Sequence, residues 1–328
     1  MGMTSDSKLN GHLVLVGATA TGKSALALEV ARLREGIELI SADSMAVYKN
    51  MDIGTATPSI AERNEIPYHL ISIVEPTVDF TVRMFQSAVY DIVKDLSRRN
   101  CRGIIVGGTG LHIRAVIDNL NIPPRYPEIK KQLETESDTK NLYQQLVELD
   151  SHAAQRMQPS NRRRIVRALE VVIGSGRPFS SFGPGLSVYP FSPFTQVGIR
   201  MPRDVVNRRI ADRYQRQIEA GFLAEITSLT ELPDPLSATA SQALGYKELL
   251  EHLNGNCGLE EALENAIAAT RRFARKQERW FRRDPRIYWI DVEHDPLEAL
   301  PEILECYDRC ALERENIFHQ SSYVCETG

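Results

Sequence analysis

Short apolar runs ending in glycine or polar residues alternate with stretches of helical spacing over the first third of the chain. His12, Leu13, Val14, Leu15 and Val16 form one such run. Near-continuous apolarity over so few residues predicts a parallel strand buried on both faces. A strong helix former follows from Ser24 onward. Residues 37–41 predict a second strand, 69–74 a third and 103–106 a fourth. Between the last two, Phe85, Val89, Ile92 and Leu96 recur at helical spacing and predict a helix over 80–96. Residues 50–58 read as a loop. At Pro123, Pro124 and Pro127 the strand pattern stops. Helices are expected over 142–150 and 160–173, the second with Ile165, Leu169 and Val172 as its buried stripe, and a glycine- and proline-rich loop over 174–193. The strand pattern returns at 196–200 and 286–290, with helices over 204–220, 241–252 and 259–283 between.

These elements predict an α/β fold: a P-loop NTPase-like parallel sheet flanked by helices, with a smaller all-helical insertion domain. The expected division is a disordered lead-in at 1–11, a first core segment at 12–120, the insertion at 121–193, a second core segment at 194–315 and a tail at 316–328. With 328 residues, 25% charged and 42% hydrophobic, the chain suits one large domain with an addition. No apolar run approaches the ~20 residues of a membrane span, and the polar first ten residues do not read as a secretory signal. Cys101, Cys257, Cys306, Cys310 and Cys325 are scattered and odd in number, which fits reduced thiols of the cytoplasm. Cys306 and Cys310, with His319 and Cys325 beyond, raise a zinc site, but the four-residue spacing is read as one helix face.

The chemistry begins at Gly17, Ala18, Thr19, Ala20, Thr21, Gly22, Lys23 and Ser24, which spell G-x-x-x-x-G-K-S between a strand and a helix. Backbone amides and a helix N-terminus there surround an anion. Lys23 adds a point charge, and the Ser24 hydroxyl suits Mg²⁺. Asp43 follows the second strand, where open parallel sheets line their ligand crevice. An N-cap role for Asp43 is compatible with a catalytic one. The fourth strand ends in Gly107, Gly108, Thr109 and Gly110, where a P-loop NTPase usually carries a metal-binding aspartate. That weakens a simple ATPase reading. Net charge is −4, so any nucleic-acid surface must be a local patch. Arg163, Arg164 and Arg167 supply one basic edge and Arg209 and Arg213 can reach a single anion. The third basic cluster lies between 271 and 283, where Arg271, Arg275, Arg279 and Arg282 are read as one helical face beside Lys276.

Together these stretches resemble the tRNA dimethylallyltransferases over about residues 12–290. The matching segments are 17–24, 41–45, 52–56, 106–111, 164–171, 221–222, 243–248 and 271–283. The resemblance implies transfer of a five-carbon prenyl group from dimethylallyl diphosphate to N6 of adenosine 37 of tRNA, with Mg²⁺ as cofactor. It implies Asp43 as general base and Thr109 as a partner of the adenosine, with Lys23, Arg213 and residues 17–24 on the diphosphate and Ser24 on the metal. It further implies tRNA contacts from Asp43, Ser44, Met45, Ala46, Thr109, Arg163, Arg164, Ile165, Val166, Arg167, Arg271, Arg275, Lys276 and Arg279. Ala18, Ala46 and His112 stand where the family commonly has Pro, Gln and Tyr. Nothing matches the zinc-finger extension of eukaryotic members, so a bacterial-type, cytoplasmic monomer without membrane contact is expected. Two other enzymes remain open: a P-loop kinase of a nucleotide or small metabolite, and an isopentenyltransferase acting on free AMP. A non-enzymatic RNA-binding module is disfavoured by the co-occurrence of Lys23, Ser24 and Asp43.

Overall fold

Alternate side chains of the central strand enter two different cores, which is why the sheet is covered on both faces. The computed structural model describes residues 11–310. Strand β1 (Leu13–Gly17) is buried along its whole length. Leu13 and Leu15 join Leu26, Val30, Ile303 and Tyr307 on one side, whereas Val14 and Val16 join Phe85, Val89, Ile113 and Phe222 on the other. This period of two is the strand repeat, and burial on both faces is what parallel sheets require.

The other core strands are β2 (Ile37–Ser41), β3 (Tyr68–His69), β4 (Arg102–Gly107), β5 (Thr195–Arg200) and β6 (Tyr288–Asp291). The six lie in the order β3-β2-β4-β1-β5-β6, and every pairing is parallel. Helix α1 (Lys23–Leu33) follows β1; α2 (Asp52–Thr55) and α3 (Ile60–Glu65) are short; α4 (Val82–Arg98) and α5 (Gly110–Ile117) flank β4 in sequence. Connections from β1 lead toward β2 and those from β4 eventually toward β5, so the chain reverses its direction of travel between β1 and β4. Open α/β sheets bind ligands at the carboxyl ends of strands at such a point.

A second compact unit spans Asp118–Pro190. It contains α6 (Pro127–Thr135), α7 (Thr139–Leu149), α8 (Ser151–Gln155) and α9 (Arg162–Ser175), and no strand. Leu133, Leu142, Leu146, Ile165 and Leu169 make its own core. Asn161 caps α9 by accepting from the Arg164 amide, and Gly176 ends it in the left-handed region with φ 66°. After β5 the first unit resumes with α10 (Arg203–Glu219), α11 (Phe222–Thr230), α12 (Tyr246–Leu253) and α13 (Leu259–Phe281).

The expected third strand is shorter than its apolar pattern. Leu70 and Ser72 have positive φ, which takes the backbone out of the extended region, and Val74 keeps only an isolated bridge to Tyr48. The expected loop at 50–58 contains the one-turn helix α2, and the helix expected from 241 begins at Tyr246. Cys306 and Cys310 lie on a helix over residues 300–310, both buried, while His319, Cys325, the lead-in at 1–10 and the tail at 316–328 fall outside the described residues. Among the described residues, no cluster of His, Cys, Asp or Glu is placed to hold a metal alone. No helix among them is long and apolar enough to cross a membrane.

Candidate active site

The glycine loop forms because two residues enter the left-handed region in alternation. Ala20 has φ 64° and Gly22 φ 83°, a sequence of conformations that turns successive amides toward one concavity. At Gly17 a Cβ would stand 2.8 Å from the Ile199 carbonyl oxygen of β5, so β1 can pass its neighbour only without a side chain there. Thr21 Oγ1 and Lys23 Nζ both donate to the Ala18 carbonyl, at 2.9 and 2.6 Å. Ser24 is exposed on the first turn of α1.

Sheet order sets the rest of the crevice. The strands run β2-β4-β1, so the loop bearing Thr109 lies between the loop bearing Asp43 and the glycine loop. The Ser44 amide donates to Thr109 Oγ1 at 3.2 Å and the Thr109 amide donates to the Ala42 carbonyl at 3.3 Å. One Asp43 carboxylate oxygen, Oδ1, accepts from the Met45 amide at 2.8 Å and the Ala46 amide at 3.4 Å. These bonds fix the carboxylate while leaving the residue exposed to the crevice. No helix begins after Asp43, so these bonds close a turn and are not the helix cap that the sequence also allowed. Ser44 and Met45 are half-buried beside it, and Ala46 is buried.

Two arginines of α10 reach the glycine loop. Arg209 Nε donates to the Ala20 carbonyl at 2.9 Å, and Arg213 Nη1 donates to Thr19 Oγ1 at 3.3 Å. Arg213 Nη2 also donates to the Gly54 carbonyl at 3.0 Å. The turn carrying Gly54 is itself clamped: Glu225 accepts from the Ile53 and Gly54 amides at 2.7 and 3.0 Å, and the Tyr246 hydroxyl donates to the same carboxylate at 2.6 Å. Phe222 and Tyr246 meet edge to face at 4.8 Å and fill the space where a Gly54 side chain would be. The separate motif segments at 52–56, 221–222 and 243–248 therefore converge on one task, holding the turn that aims Arg213.

The charges act on one another. Burial lowers the Lys23 pKa from 10.5 to about 8, with Asp43 raising it and Arg213 lowering it further. Burial also pulls the Arg213 pKa down, against the raising influence of Tyr214 and Asp43. His112 is stacked on Phe85 at 4.6 Å, and burial drives its pKa to about 4, so it is neutral near pH 7. A metal ion would find the Ser24 hydroxyl and the exposed Asp43 carboxylate but no three-ligand cage among the described residues. That donor set fits Mg²⁺ carried by substrate phosphates and waters.

The basic clusters separate on inspection. Arg163 and Arg164 are exposed, but Ile165 and Val166 are buried in the core of the second unit and present no side chain to RNA. Arg167 bonds the Pro123 and Pro124 carbonyls and pairs with Glu170 at 2.8 Å, so it serves that unit's own structure. On α13 the expected single face is two. Arg271 donates to the Asn207 carbonyl at 3.0 Å, and with Arg275 it lines a narrow cavity that also includes Ala18 and Thr21. Arg272, Lys276 and Arg279 are exposed along α13, and Arg282, paired with Glu278, and Arg283 are exposed just past its end. Glu225 and Gln277 carry no mark among the motifs; Gln277 is buried on α13, and its Oε1 accepts from the Thr19 amide at 2.8 Å. A polar residue at the spacing of Thr270, Ala274 and Phe281 was the available signal.

Comparison with known proteins adds the following. Residues 46–284 match the family model described as IPP transferase, and residues 11–79 match one described as isopentenyl transferase. A protein of Carboxydothermus hydrogenoformans named tRNA dimethylallyltransferase is 42% identical over 296 residues, covering 88% of this chain and 94% of that protein. The crystal structure of a full-length tRNA isopentenylpyrophosphate transferase of Bacillus halodurans superposes with a TM-score of 0.67 at 32% identity, covering 94% of this chain and 99% of the other. A eukaryotic dimethylallyltransferase solved acting on tRNA gives a TM-score of 0.71 at 25% identity, over 85% of this chain and 73% of that one.

Proposed function

The chain belongs to the IPP transferase family of tRNA dimethylallyltransferases, and on that premise we propose that it transfers the dimethylallyl group of dimethylallyl diphosphate to N6 of adenosine 37 in tRNA, as a bacterial-type monomer of the cytoplasm. The observation that carries the reading is the order of loops at the sheet edge: the glycine loop with Lys23, Arg209 and Arg213, then Thr109, then Asp43. A cationic anion cradle and a carboxylate flank one crevice. That arrangement suits a reaction that expels an anion on one side and releases a proton on the other.

In this reading the C1–O bond of the donor breaks, N6 bonds to C1, diphosphate leaves into the glycine loop, and Asp43 takes the N6 proton. Thr109 positions the amine. Lys23, Arg213 and the loop amides neutralise charge as it develops on the leaving oxygen. Mg²⁺, held through Ser24 and the diphosphate itself, would supply further charge neutralisation. Proton acceptance by a placed carboxylate is worth on the order of 10²–10⁴-fold. The adenine leaves the anticodon-loop stack to enter the crevice beside Ser44 and Met45. Exposed Arg163, Arg164, Lys276 and Arg279 grip the RNA backbone, while Arg271 and Arg275 face inward.

Radiolabelled dimethylallyl diphosphate supplied with Mg²⁺ and either unmodified tRNA or AMP tests the reading. Label in tRNA at adenosine 37 is the expected result. Label in AMP alone would replace the acceptor, and transfer of a phosphoryl group from ATP with no prenyl transfer would replace the reaction. Asp43→Ala should lose turnover by about 10²-fold or more while RNA binding persists. A single-turnover rate equal to that of the unaltered protein removes Asp43 as the base.

A further inference from the structure

Gln277 bonds two loops that sequence holds far apart. Its Oε1 accepts from the Thr19 amide of the glycine loop at 2.8 Å, and its Nε2 donates to the Gly108 carbonyl at 2.9 Å. The side chain is buried, so neither bond is readily exchanged for water. The fit on the β4 side is close: a Cβ on Gly108 would stand 2.2 Å from Nε2 and 3.4 Å from the Gly17 carbonyl oxygen. Thr109 is the next residue after Gly108. One side chain therefore ties the loop that receives the leaving group to the residue that addresses the acceptor.

No other side chain satisfies both ends. Glutamate would still accept from Thr19 but has no hydrogen for the Gly108 carbonyl, and its charge would oppose an anion in the loop. Asparagine is one methylene short. Alanine leaves the buried Gly108 carbonyl and the half-buried Thr19 amide without this partner. Resting on the prenyl-transfer reading above, we infer that Gln277 is a positioning residue that sets the separation between the donor diphosphate and the acceptor amine. Reacting atoms must stand about 3–3.5 Å apart, and a misplacement of about 1 Å costs on the order of 10²-fold in rate. The amides from Ala20 onward remain for the diphosphate.

The test uses the full chain with Gln277→Ala, Gln277→Met and Gln277→Glu. Thr270→Val is the control, since Thr270 sits on the same buried face and bonds the Tyr214 hydroxyl at 2.8 Å without touching either loop. Four quantities are read: thermal midpoint, Kd for Mg²⁺-diphosphate, Kd for an anticodon stem-loop, and the single-turnover transfer rate at saturation. Isothermal titration calorimetry gives the Kd for Mg²⁺-diphosphate. Gln277→Ala and Gln277→Met should lose about 30- to 100-fold in saturated rate with both Kd values within about 3-fold. Gln277→Glu should fall further, and Thr270→Val should lower the midpoint while keeping the rate. A saturated rate within about 3-fold for Gln277→Ala or Gln277→Met, a loss recovered by more donor, or an equal loss in Thr270→Val overturns the inference. Failure of the unaltered protein to transfer label overturns the prenyl-transfer reading instead.

Discussion

Lys23 is held where its own charge is disfavoured, and its pH behaviour follows. Burial lowers its pKa to about 8, partly offset by Asp43 and reinforced by Arg213. Free protein should bind Mg²⁺-diphosphate below pH 8 and lose affinity as pH rises through that value, which a calorimetric titration over pH 6.5–9.5, about one unit and more either side, would follow. Folding carries the opposite sign. Between about 8 and 10.5 the unfolded chain keeps a proton on Lys23 that the native state has released. Stability from this residue therefore rises with pH across that window. Lys23→Met should flatten the rise in a series of thermal midpoints. At this scale the glycine loop was legible because all its residues are contiguous and each has a fixed task. Arg209 and Arg213 were legible as a pair, since four residues of helix put both on one side. Gln277 was not, because its partners Thr19 and Gly108 are 258 and 169 residues away. Ile165 and Val166 were assigned to RNA from motif position, whereas their apolar side chains follow the helix stripe into the core.

Helix α13 shows what periodicity reveals and where it stops. Its basic run was plain, but charge alone does not say which arginines face outward. Thr270, Ala274, Gln277 and Phe281 are the buried line, and the rest follows from it. Arg271 and Arg275 fall beside that line and turn toward the cavity at Ala18 and Thr21, whereas Arg272, Lys276 and Arg279 fall opposite, with Arg283 exposed just past the helix end. Replacing Arg272, Arg279 and Arg283 together by alanine should weaken stem-loop binding and reduce the salt slope by roughly 2 to 3. Arg271→Ala should leave that slope in place. Binding isotherms between 50 and 200 mM salt, roughly the range over which phosphate contacts register, decide it. The third strand illustrates the opposite failure. Apolarity from His69 to Val74 reads as one strand, yet positive φ at Leu70 and Ser72 ends it after two residues. Backbone handedness at non-glycine residues leaves no mark in a hydrophobic pattern.

The chain forms two compact units, and the second has a core of its own. Exchanging Arg163 and Arg164 for alanine in the second unit should raise the KM for tRNA several-fold and leave Mg²⁺-diphosphate binding to the first unit unchanged; steady-state kinetics beside a direct diphosphate titration would show both. The α/β class and the strandless insertion were legible because strand and helix periods differ. Strand order was not, since β1 pairs with β5 across 182 positions, as Leu13 with Thr195. That order bears on how the chain is made. The glycine loop is synthesised before the elements that complete it: Gly17 is covered by β5, Thr19 is bonded by Gln277, and the place of a Gly22 side chain is filled by Pro296. Each partner is synthesised far later than the loop it completes. The glycine loop is thus begun early relative to its partners and finished late, and a nascent chain lacking residues beyond 276 carries the phosphate motif without the contacts from Gln277 and Pro296.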